Sequence, residues 1–324
     1  MSRPASTTIV FGEALVDEFP TEQVVGGAPF NVARHLAAFM APALMITRIG
    51  KDRNGQAVRG EFERFAMSEA GLQFDPMEET GRVVVERNGQ EHRFRILPRQ
   101  AYDFIDAGAA TASLAKVDAG VVYFGTLAQR EQRSRRALGA VLDALPDARR
   151  YLDLNLRPGQ YEEGTVTRAL TAADIVKVNE EELQALFQWY FQIGPDDAAL
   201  STEEVHAACR ALMDRFSLET LIVTLGHRGS VVFCADGSLV AHRDNPAPPF
   251  VIDTVGAGDA FSAIFLLGRA RGWPLELTLA RANEFAGAIC AVAGAVPRDL
   301  NFYDKWVNRW REGAPAMPSA FTSR

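Results

Sequence analysis

The alternation of short apolar runs with longer segments of helical period constrains the fold of this chain more than any other feature. The runs lie at 8–15, 43–49, 121–127, 151–155, 174–179 and 221–226, and the helical segments at 29–40, 56–70, 131–145 and 180–191. The runs are rich in β-branched residues, as buried strands are. Strands that alternate with helices predict an α/β fold with a mostly parallel central sheet and helices on both faces.

Two segments interrupt this alternation, and each has the pattern of a β-hairpin. Residues 82–96 form two strand-like arms around Asn88-Gly89, a dipeptide favoured in two-residue type I′ turns. Residues 230–241 repeat the pattern around Asp236-Gly237. Both arms of the first hairpin carry charged side chains, so we expect one of its faces to contact water and the hairpin to lie beside the main sheet as a flap.

The composition is that of a globular protein. Of the 324 residues, 48% are apolar and 23% are charged, and no internal repeat or low-complexity linker divides the chain. We therefore expect one domain over residues 1–324, largely helical from Val255 onward, with a disordered tail at 312–324.

Charge and cysteine content restrict the partners and the compartment. The net charge of −7, without a dense cluster of Lys and Arg, argues against nucleic-acid binding, because contacts to backbone phosphates require a basic surface. The three cysteines, Cys209, Cys234 and Cys290, are far apart, and their odd number is typical of a reducing compartment. The N-terminus has no signal-peptide core, and no apolar run approaches the roughly 18 residues of a membrane span. These features predict a cytoplasmic protein without a membrane segment.

The segment V251-I-D-T-V-G-A-G-D-A-F261 has the pattern of a strand, a glycine turn and a helix. Residues 250–252 are strand-like, and a long apolar helical segment follows the turn. Such a unit directs backbone N–H groups outward at a helix N-terminus, where they form an anion site. The pattern therefore predicts an anion site at Gly256, Ala257 and Gly258.

Asp259 follows this turn directly, at the N-terminus of the predicted helix. A carboxylate in that position can accept the proton of a hydroxyl while the neighbouring amides stabilise a transferring phosphoryl group. The alternative is that Asp259 only interacts favourably with the helix N-terminus and that the glycines only form a tight turn. The segment by itself does not decide between these interpretations.

Further segments occur in a fixed order along nearly the whole chain: G12-E-A-L-V-D17, G26-G-A-P-F-N-V-A33, D153-L-N-L-R157, N179-E-E-E182, T224-L-G-H-R-G229, D253-T-V-G-A-G-D-A-F261 and N283-E-F-A-G-A-I-C-A-V-A-G-A295. Together they resemble the motifs of the ribokinase-like (PfkB) carbohydrate kinases. The first and third segments are most similar to the fructokinase branch. The resemblance implies a ribokinase-like three-layer sandwich with a small β lid, formed approximately by residues 13–26 and 81–101.

The resemblance also implies a role for each matching residue. Asp259 would be the catalytic base, and Gly256, Ala257 and Gly258 the anion hole. The residues implied for the substrate are Asp17, Gly27, Asn31 and Arg157, and those implied for the nucleotide are Asn179, Glu182, Thr224, Gly226, Gly229 and Asn283. Glu182 would contact Mg²⁺ through water, and Asp253 would be a ligand of a monovalent cation such as K⁺.

Several of these residues have a simpler structural interpretation. Asn179 is a good helix N-cap, and Glu182 belongs to a favourable acidic first turn. The alternatives for the others are an Asx turn for Asp253, a turn before Pro20 for Asp17, a solvated salt bridge for Arg157 and helix packing for Asn283.

We therefore expect an ATP-dependent, Mg²⁺-requiring carbohydrate kinase, with D-fructose as its substrate. Ribokinase has Gly-Gly-Lys-Gly-Ala-Asn where this chain has G26-G-A-P-F-N31, which favours the fructokinase side. Only eight residues separate Asp17 from Gly26, so the lid is short. Because the lid closes over the sugar, a short lid leaves ribose, 2-keto-3-deoxygluconate or a nucleoside as alternative substrates. We also expect a homodimer that forms through the lid. A non-catalytic sugar or nucleotide sensor is the alternative from another class.

Overall fold

The computed structural model describes residues 6–88, 91–193, 202–243 and 250–312, and thirteen strands are found in these ranges. The strands are β1 Thr7–Phe11, β2 Leu15–Glu18, β3 Gln23–Gly26, β4 Ala43–Gly50, β5 Leu72–Asp75, β6 Gly81–Asn88, β7 Glu91–Ile96, β8 Ala119–Phe124, β9 Arg149–Asp153, β10 Ile175–Asn179, β11 Thr220–Thr224, β12 Ser230–Cys234 and β13 Leu239–His242. Nine of them form one sheet in the order β13-β12-β11-β10-β9-β8-β1-β4-β5. Neighbouring strands are parallel except around β12, which is antiparallel to both β11 and β13. The predicted mostly parallel central sheet is therefore confirmed.

Helices cover both faces of this sheet. They are α1 Ala28–Ala38, α2 Arg53–Arg64, α3 Ala107–Ala112, α4 Gln132–Ala144, α5 Glu163–Thr171, α6 Glu180–Phe191, α7 Glu203–Phe216, α8 Ala257–Ala270, α9 Leu275–Ile289 and α10 Asp304–Glu312. Successive strand residues point to opposite faces, so Ile9 and Phe11 pack with α3 to α7, whereas Val10 packs with the other helices. This is the three-layer arrangement that the sequence predicts.

The remaining four strands form a small sheet in the order β3-β2-β6-β7. The two outer pairs are antiparallel, and β2 and β6 pair in parallel. The prediction of one strand over residues 8–15 is wrong, because the chain leaves the main sheet after Phe11. Gly12 makes a last bond there, to the carbonyl of Ile46 at 3.2 Å, and Leu15 then pairs with Gly26 and Gly81 of the small sheet.

Both predicted hairpins are present, but their turns differ from the prediction. Asn88 pairs with Glu91 and is the last residue of β6 rather than a turn residue, and Gly89 lies outside the described residues. In the second hairpin four residues, 235–238, connect the strands, and the N–H of Cys234 bonds to the carbonyl of Ser238. Gly237 adopts a φ of 84° there, a conformation that glycine favours.

The predicted strand at residues 250–252 is not formed. The side chains of Phe250, Val251 and Ile252 are exposed, and the N–H of Ile252 donates to the carbonyl of Cys290 at 2.8 Å. That carbonyl lies at the end of α9, where helical carbonyls lack partners, so a helix end replaces a sheet neighbour. The helical region after Val255 is confirmed by α8, α9 and α10, and the predicted tail lies outside the described residues except for Glu312. None of the helices in the described ranges has the length and apolar character that crossing a bilayer requires.

Candidate active site

A cavity of about 750 Å³ lies at the carboxyl ends of β9, β10 and β11, between the N-terminus of α8 and the small sheet. Parallel strands commonly present their ligand sites at this edge. The predicted site residues that line the cavity are Asp17, Gly27, Asn31, Arg157, Asn179, Glu182, Thr224, Gly226, Gly229, Gly256, Ala257, Gly258, Asp259 and Asn283. Asp253 does not line it.

The glycine turn sets the start of α8. Gly256 is the N-cap, with a φ of 80°, and an added Cβ would lie 2.3 Å from the Cβ of Ala295. The N–H of Ala257 makes a long bond of 3.3 Å to the carbonyl of Thr254. Among the described residues, no acceptor is bonded to the N–H of Gly256 or Gly258. The first turn of α8 therefore presents unbonded backbone donors to the cavity, as an anion site requires.

Asp259 is buried in the first turn of α8, and its Oδ2 accepts a hydrogen bond of 2.7 Å from Nδ2 of Asn31. Burial raises the pKa of Asp259 from 3.8 to about 6, and the bond from Asn31 acts in the opposite direction. The carboxylate is therefore mostly ionised at neutral pH and has a pKa close to the pH at which it would act, which suits a general base.

Asn31 is itself held by a buried arginine. Nη2 of Arg34 donates to Oδ1 of Asn31 at 2.5 Å, while Nη1 binds Glu61 at 2.7 Å. These contacts fix the amide so that its N–H groups face Asp259. Asn31, predicted to meet the sugar, thus also positions the predicted base.

Two more carboxyl groups lie on the side of the cavity near the small sheet. Asp17 is in β2, so the alternative of a turn before Pro20 is wrong. Burial raises its pKa to about 6. Glu13 is 4% exposed, its Oε2 has no hydrogen-bond partner among the described residues, and burial raises its pKa to about 7. Gly27 lies beside them with a φ of 105°, and an added Cβ would be 2.6 Å from the carbonyl of Glu13.

Arg157 is exposed at the same end of the cavity. It has no ion pair with any residue in the described ranges, which disfavours the alternative of a salt bridge. Its guanidinium lowers the pKa of Glu13, Asp17 and Asp259 by electrostatic attraction. It is therefore a cation placed among three cavity carboxyls.

Asn179 and Glu182 form a reciprocal capping box at the start of α6. Oδ1 of Asn179 accepts from the N–H of Glu182 at 2.8 Å, and Oε2 of Glu182 accepts from the N–H of Asn179 at 2.9 Å. Oε1 of Glu182 accepts from the N–H of Leu156 at 2.8 Å. The capping alternative is thus observed, while both side chains also line the cavity.

Two more residues predicted for the nucleotide, and the predicted cation ligand Asp253, are also hydrogen-bonded within the protein. Nδ2 of Asn283 donates to Ser230 and to the carbonyl of Leu279, both at 2.8 Å, as the packing alternative requires. Oγ1 of Thr224 donates to the carbonyl of Val178 at 3.3 Å. Oδ1 of Asp253 accepts from the N–H of Val255 at 3.0 Å, which is the Asx turn of the alternative interpretation.

Among the acidic, amide and lysine side chains that line the cavity, sequence reasoning missed four: Glu13, Asp153, Asn155 and Lys177. Three of them lie inside motifs that were recognised only for their neighbours. Lys177 stands between valines in an apolar strand, and a lone charge there must find a partner. Asn155 has a φ of 41°, a conformation uncommon for a residue other than glycine.

Comparison with known proteins extends these observations. A family model described as "pfkB family carbohydrate kinase" matches residues 5–300. A fructokinase from Klebsiella pneumoniae is 31% identical over 91% of this chain and 96% of its own length. A fructokinase double mutant from Vibrio cholerae O395, solved with fructose, ADP and a potassium ion, is 26% identical, has a TM-score of 0.72 and covers 91% of this chain and 95% of its own.

A fructokinase from Xylella fastidiosa with bound ATP has the same fold, with a TM-score of 0.76 at 21% identity over 95% of this chain and 99% of its own. The family match spans the cavity, the sheet and α8. The chain therefore belongs to the pfkB family of carbohydrate kinases and is a sugar kinase.

Proposed function

We propose that this protein is an ATP-dependent fructokinase in which Asp259 is the general base and the turn of Gly256, Ala257 and Gly258 is the anion hole. The observation that carries the proposal is the position of a buried, ionisable carboxylate within the same helical turn as unbonded backbone donors. A base and an anion hole must both face the reacting hydroxyl and phosphoryl groups, and here adjacent residues supply both.

The reaction follows from this geometry. The Asp259 carboxylate accepts the proton of the sugar hydroxyl while the oxygen of that hydroxyl forms a bond to the γ-phosphorus of ATP. The bond from that phosphorus to the bridging oxygen breaks, and ADP leaves with the electron pair. The N–H groups of the turn stabilise the negative charge of the phosphoryl oxygens during transfer. Asn31 keeps the carboxylate in place through its 2.7 Å bond.

We assign the nucleotide to the side of the cavity lined by Asn179, Glu182, Thr224, Gly226, Gly229 and Asn283. Mg²⁺ on the nucleotide would neutralise phosphate charge. Asn179 and Glu182 would hold its water shell, and this donor set fits. Each carboxylate oxygen of Glu182 accepts one backbone N–H and retains a further lone pair. A K⁺ site behind the turn, with Asp253 as one ligand, stays a prediction; no group of three or more His, Cys, Asp or Glu in the described ranges forms a metal site, so such a site would depend on carbonyl oxygens.

Asp17, Gly27, Asn31 and Arg157 are our assignment for the sugar side. Carboxylate and amide groups suit the recognition of several hydroxyls. Fructose is favoured because the relatives reported above are fructokinases. A sugar acid would instead use the exposed cation Arg157.

The decisive experiment is an ADP-release assay on purified protein with D-fructose, ribose, 2-keto-3-deoxygluconate and nucleosides. We expect D-fructose to give the highest kcat/KM. The Asp259→Asn variant should lower kcat by about 10²–10⁴-fold, because general base catalysis is lost. Turnover near that of the wild type in this variant would contradict the mechanism, and a higher kcat/KM with another acceptor would reassign the substrate.

The same assay separates a kinase from a non-catalytic sensor, which would bind sugar or nucleotide without releasing ADP. The homodimer through the small sheet and the cytoplasmic location stay predictions. Sedimentation velocity with and without sugar measures the first.

A further inference from the structure

Lys177 and Asp153 form a buried ion pair that the proposed reaction does not use. They are direct neighbours on the parallel strands β10 and β9, with Nζ at 2.8 and 3.0 Å from the two carboxylate oxygens. Only 7% and 2% of the two side chains are exposed. Desolvation offsets most of the attraction within such a pair, so its presence is poorly explained by stability alone.

The Asp153 end of the pair is bonded to α8. Oγ of Ser262 donates to Oδ2 of Asp153 at 2.9 Å, and the hydroxyl of Tyr123 donates to the same oxygen at 3.1 Å. Ser262 is fully buried and lies one helical turn after Asp259. Because i and i+3 share a helix face, the bond to Ser262 fixes the face of α8 that carries Asp259.

The Lys177 end lies beneath the glycine turn. A Cβ added to Gly258 would be 3.3 Å from Nζ of Lys177, and Lys177 lines the cavity. The pair is thus oriented, with its positive end beside Gly258 and its negative end toward Ser262. This orientation adds to the partial positive charge at the N-terminus of α8.

We propose that the Lys177–Asp153 pair is a positioning pair for phosphoryl transfer: it holds the first turn of α8 against the sheet and places a positive charge beneath the anion hole. The proposal rests on the proposed function, in which Asp259 is the base. It assigns no contact with substrate to either residue.

The pair has a measurable electrostatic effect on Asp259. The titratable and charged groups that face Asp259 are Glu13 after β1, Tyr123 on β8, Asp153 on β9, Arg157 after β9 and Lys177 on β10, with the uncharged Asn31 on α1. Asp153 raises the pKa of Asp259, and Lys177 lowers it. Removing Lys177 should therefore raise the pKa of Asp259, and removing Asp153 should lower it. If the pair had only a structural role, the two variants would not shift this pKa in opposite directions.

The test compares Lys177→Met, Asp153→Asn and the double variant by the pH dependence of kcat/KM for the sugar, from pH 4.5 to 8. We expect the acid limb to move to higher pH in Lys177→Met and to lower pH in Asp153→Asn, each by roughly half a pH unit or more, which is about a threefold change in relative rate on the limb. In the double variant the limb should return close to that of the wild type, with a kcat at least about tenfold lower.

The matched control is the pair Arg48–Asp75, with an N–O distance of 2.7 Å and side chains 13% and 5% exposed, which lies away from the cavity. Arg48→Met and Asp75→Asn should leave the acid limb in place. If the acid limbs of the Lys177→Met and Asp153→Asn profiles stay in place or move in the same direction, the proposal is overturned.

Should a single variant fail to fold, the double variant decides, because it leaves no unpaired buried charge. A lower kcat with an unchanged limb supports the proposal, and an unchanged kcat overturns it. The proposed function fails separately, if the wild type releases no ADP with any acceptor or if Asp259→Asn retains full turnover.

Discussion

The two halves of the cavity differ in how their polar groups are satisfied. In the half that we propose for the nucleotide, defined by Asn179, Glu182 and Asn283, side chains already bond to backbone or side-chain groups of the protein. Burial raises the pKa of Glu182 there, but each of its carboxylate oxygens accepts a backbone N–H.

In the half that we propose for the acceptor, defined by Glu13, Asp17 and Asp259, burial raises the pKa of all three carboxyls, to about 7, 6 and 6. Asp259 accepts a bond from Asn31, whereas Oε2 of Glu13 has no partner among the described residues. We therefore expect the nucleotide half to serve folding and binding together, and a ligand to restore stability in the acceptor half through its hydroxyls.

The sharpest test of this difference is Asp17→Asn. The KM for the sugar should rise by about 10–100-fold, because a hydrogen bond to a charged group contributes roughly 1.5–3 kcal/mol. The kcat should change less, since Asp17 takes no part in the transfer step of the proposed reaction. Steady-state kinetics with varied sugar measures both constants.

Glu18→Gln is the matched control for that variant. Glu18 is the next residue of β2 and bonds to Gln23 and Asn54 outside the cavity. Its KM should stay within about twofold of the wild type, as for most surface substitutions. Equal KM values in the two variants would remove Asp17 from the acceptor half.

The next effect is the pH dependence of kcat/KM for the sugar. Because the pKa of Asp259 in the ligand-free protein is about 6 and only the ionised form accepts a proton, kcat/KM should be nearly constant above pH 7 and fall at least about tenfold per unit well below pH 6. Stopped assays with ADP quantification at low sugar concentration measure this profile. A kcat/KM that is unchanged down to pH 4.5 would show that Asp259 is not the base.

The comparison also predicts that Asp259→Asn stabilises the protein. The folded-state pKa of about 6 exceeds the ordinary value of 3.8, so the folded state binds the proton more tightly. Protonation of Asp259 therefore stabilises the folded state in full below pH 4, and this contribution is lost as the pH rises through 6. At pH 7.5 the variant should therefore unfold at a higher urea concentration than the wild type, with a free energy of unfolding larger by at most about 3 kcal/mol. At pH 4 we expect no such gain. A variant less stable than the wild type at pH 7.5 would contradict this.

The smallest expected effect is a loss of stability, in contrast to the gain expected for Asp259→Asn, and it concerns the nucleotide half. Asn179→Ala removes the acceptor for the N–H of Glu182 and should lower the free energy of unfolding by about 1 kcal/mol. Asn179→Asp keeps an acceptor and serves as the control in the same urea titration. Equal stability of Asn179→Ala and the wild type would mean that the cap contributes nothing and that the two halves do not differ as described.

Much of the fold was predictable from local patterns. The period of apolar residues located α4 and α6 and most strands of the central sheet, because burial on one or both faces is written into such patterns. The strand predicted at 250–252 and the single strand predicted over 8–15 were wrong. In both cases the backbone partner is remote in sequence: the end of α9 for the first and β6 for the second.

By itself, the sequence determined the α/β architecture, because the period of apolar residues sets which side chains of a strand or helix share a face. It also indicated the glycine turn before Asp259, and the resemblance to the pfkB kinases named fourteen of the residues that line the cavity. Only the tertiary structure decided which of these groups bond to one another. The bond from Asn31 to Asp259, the pairing of Lys177 with Asp153 and the unpartnered oxygen of Glu13 depend on contacts between distant segments. Burial and charge at those contacts set the pKa of each carboxyl, and no local pattern encodes them.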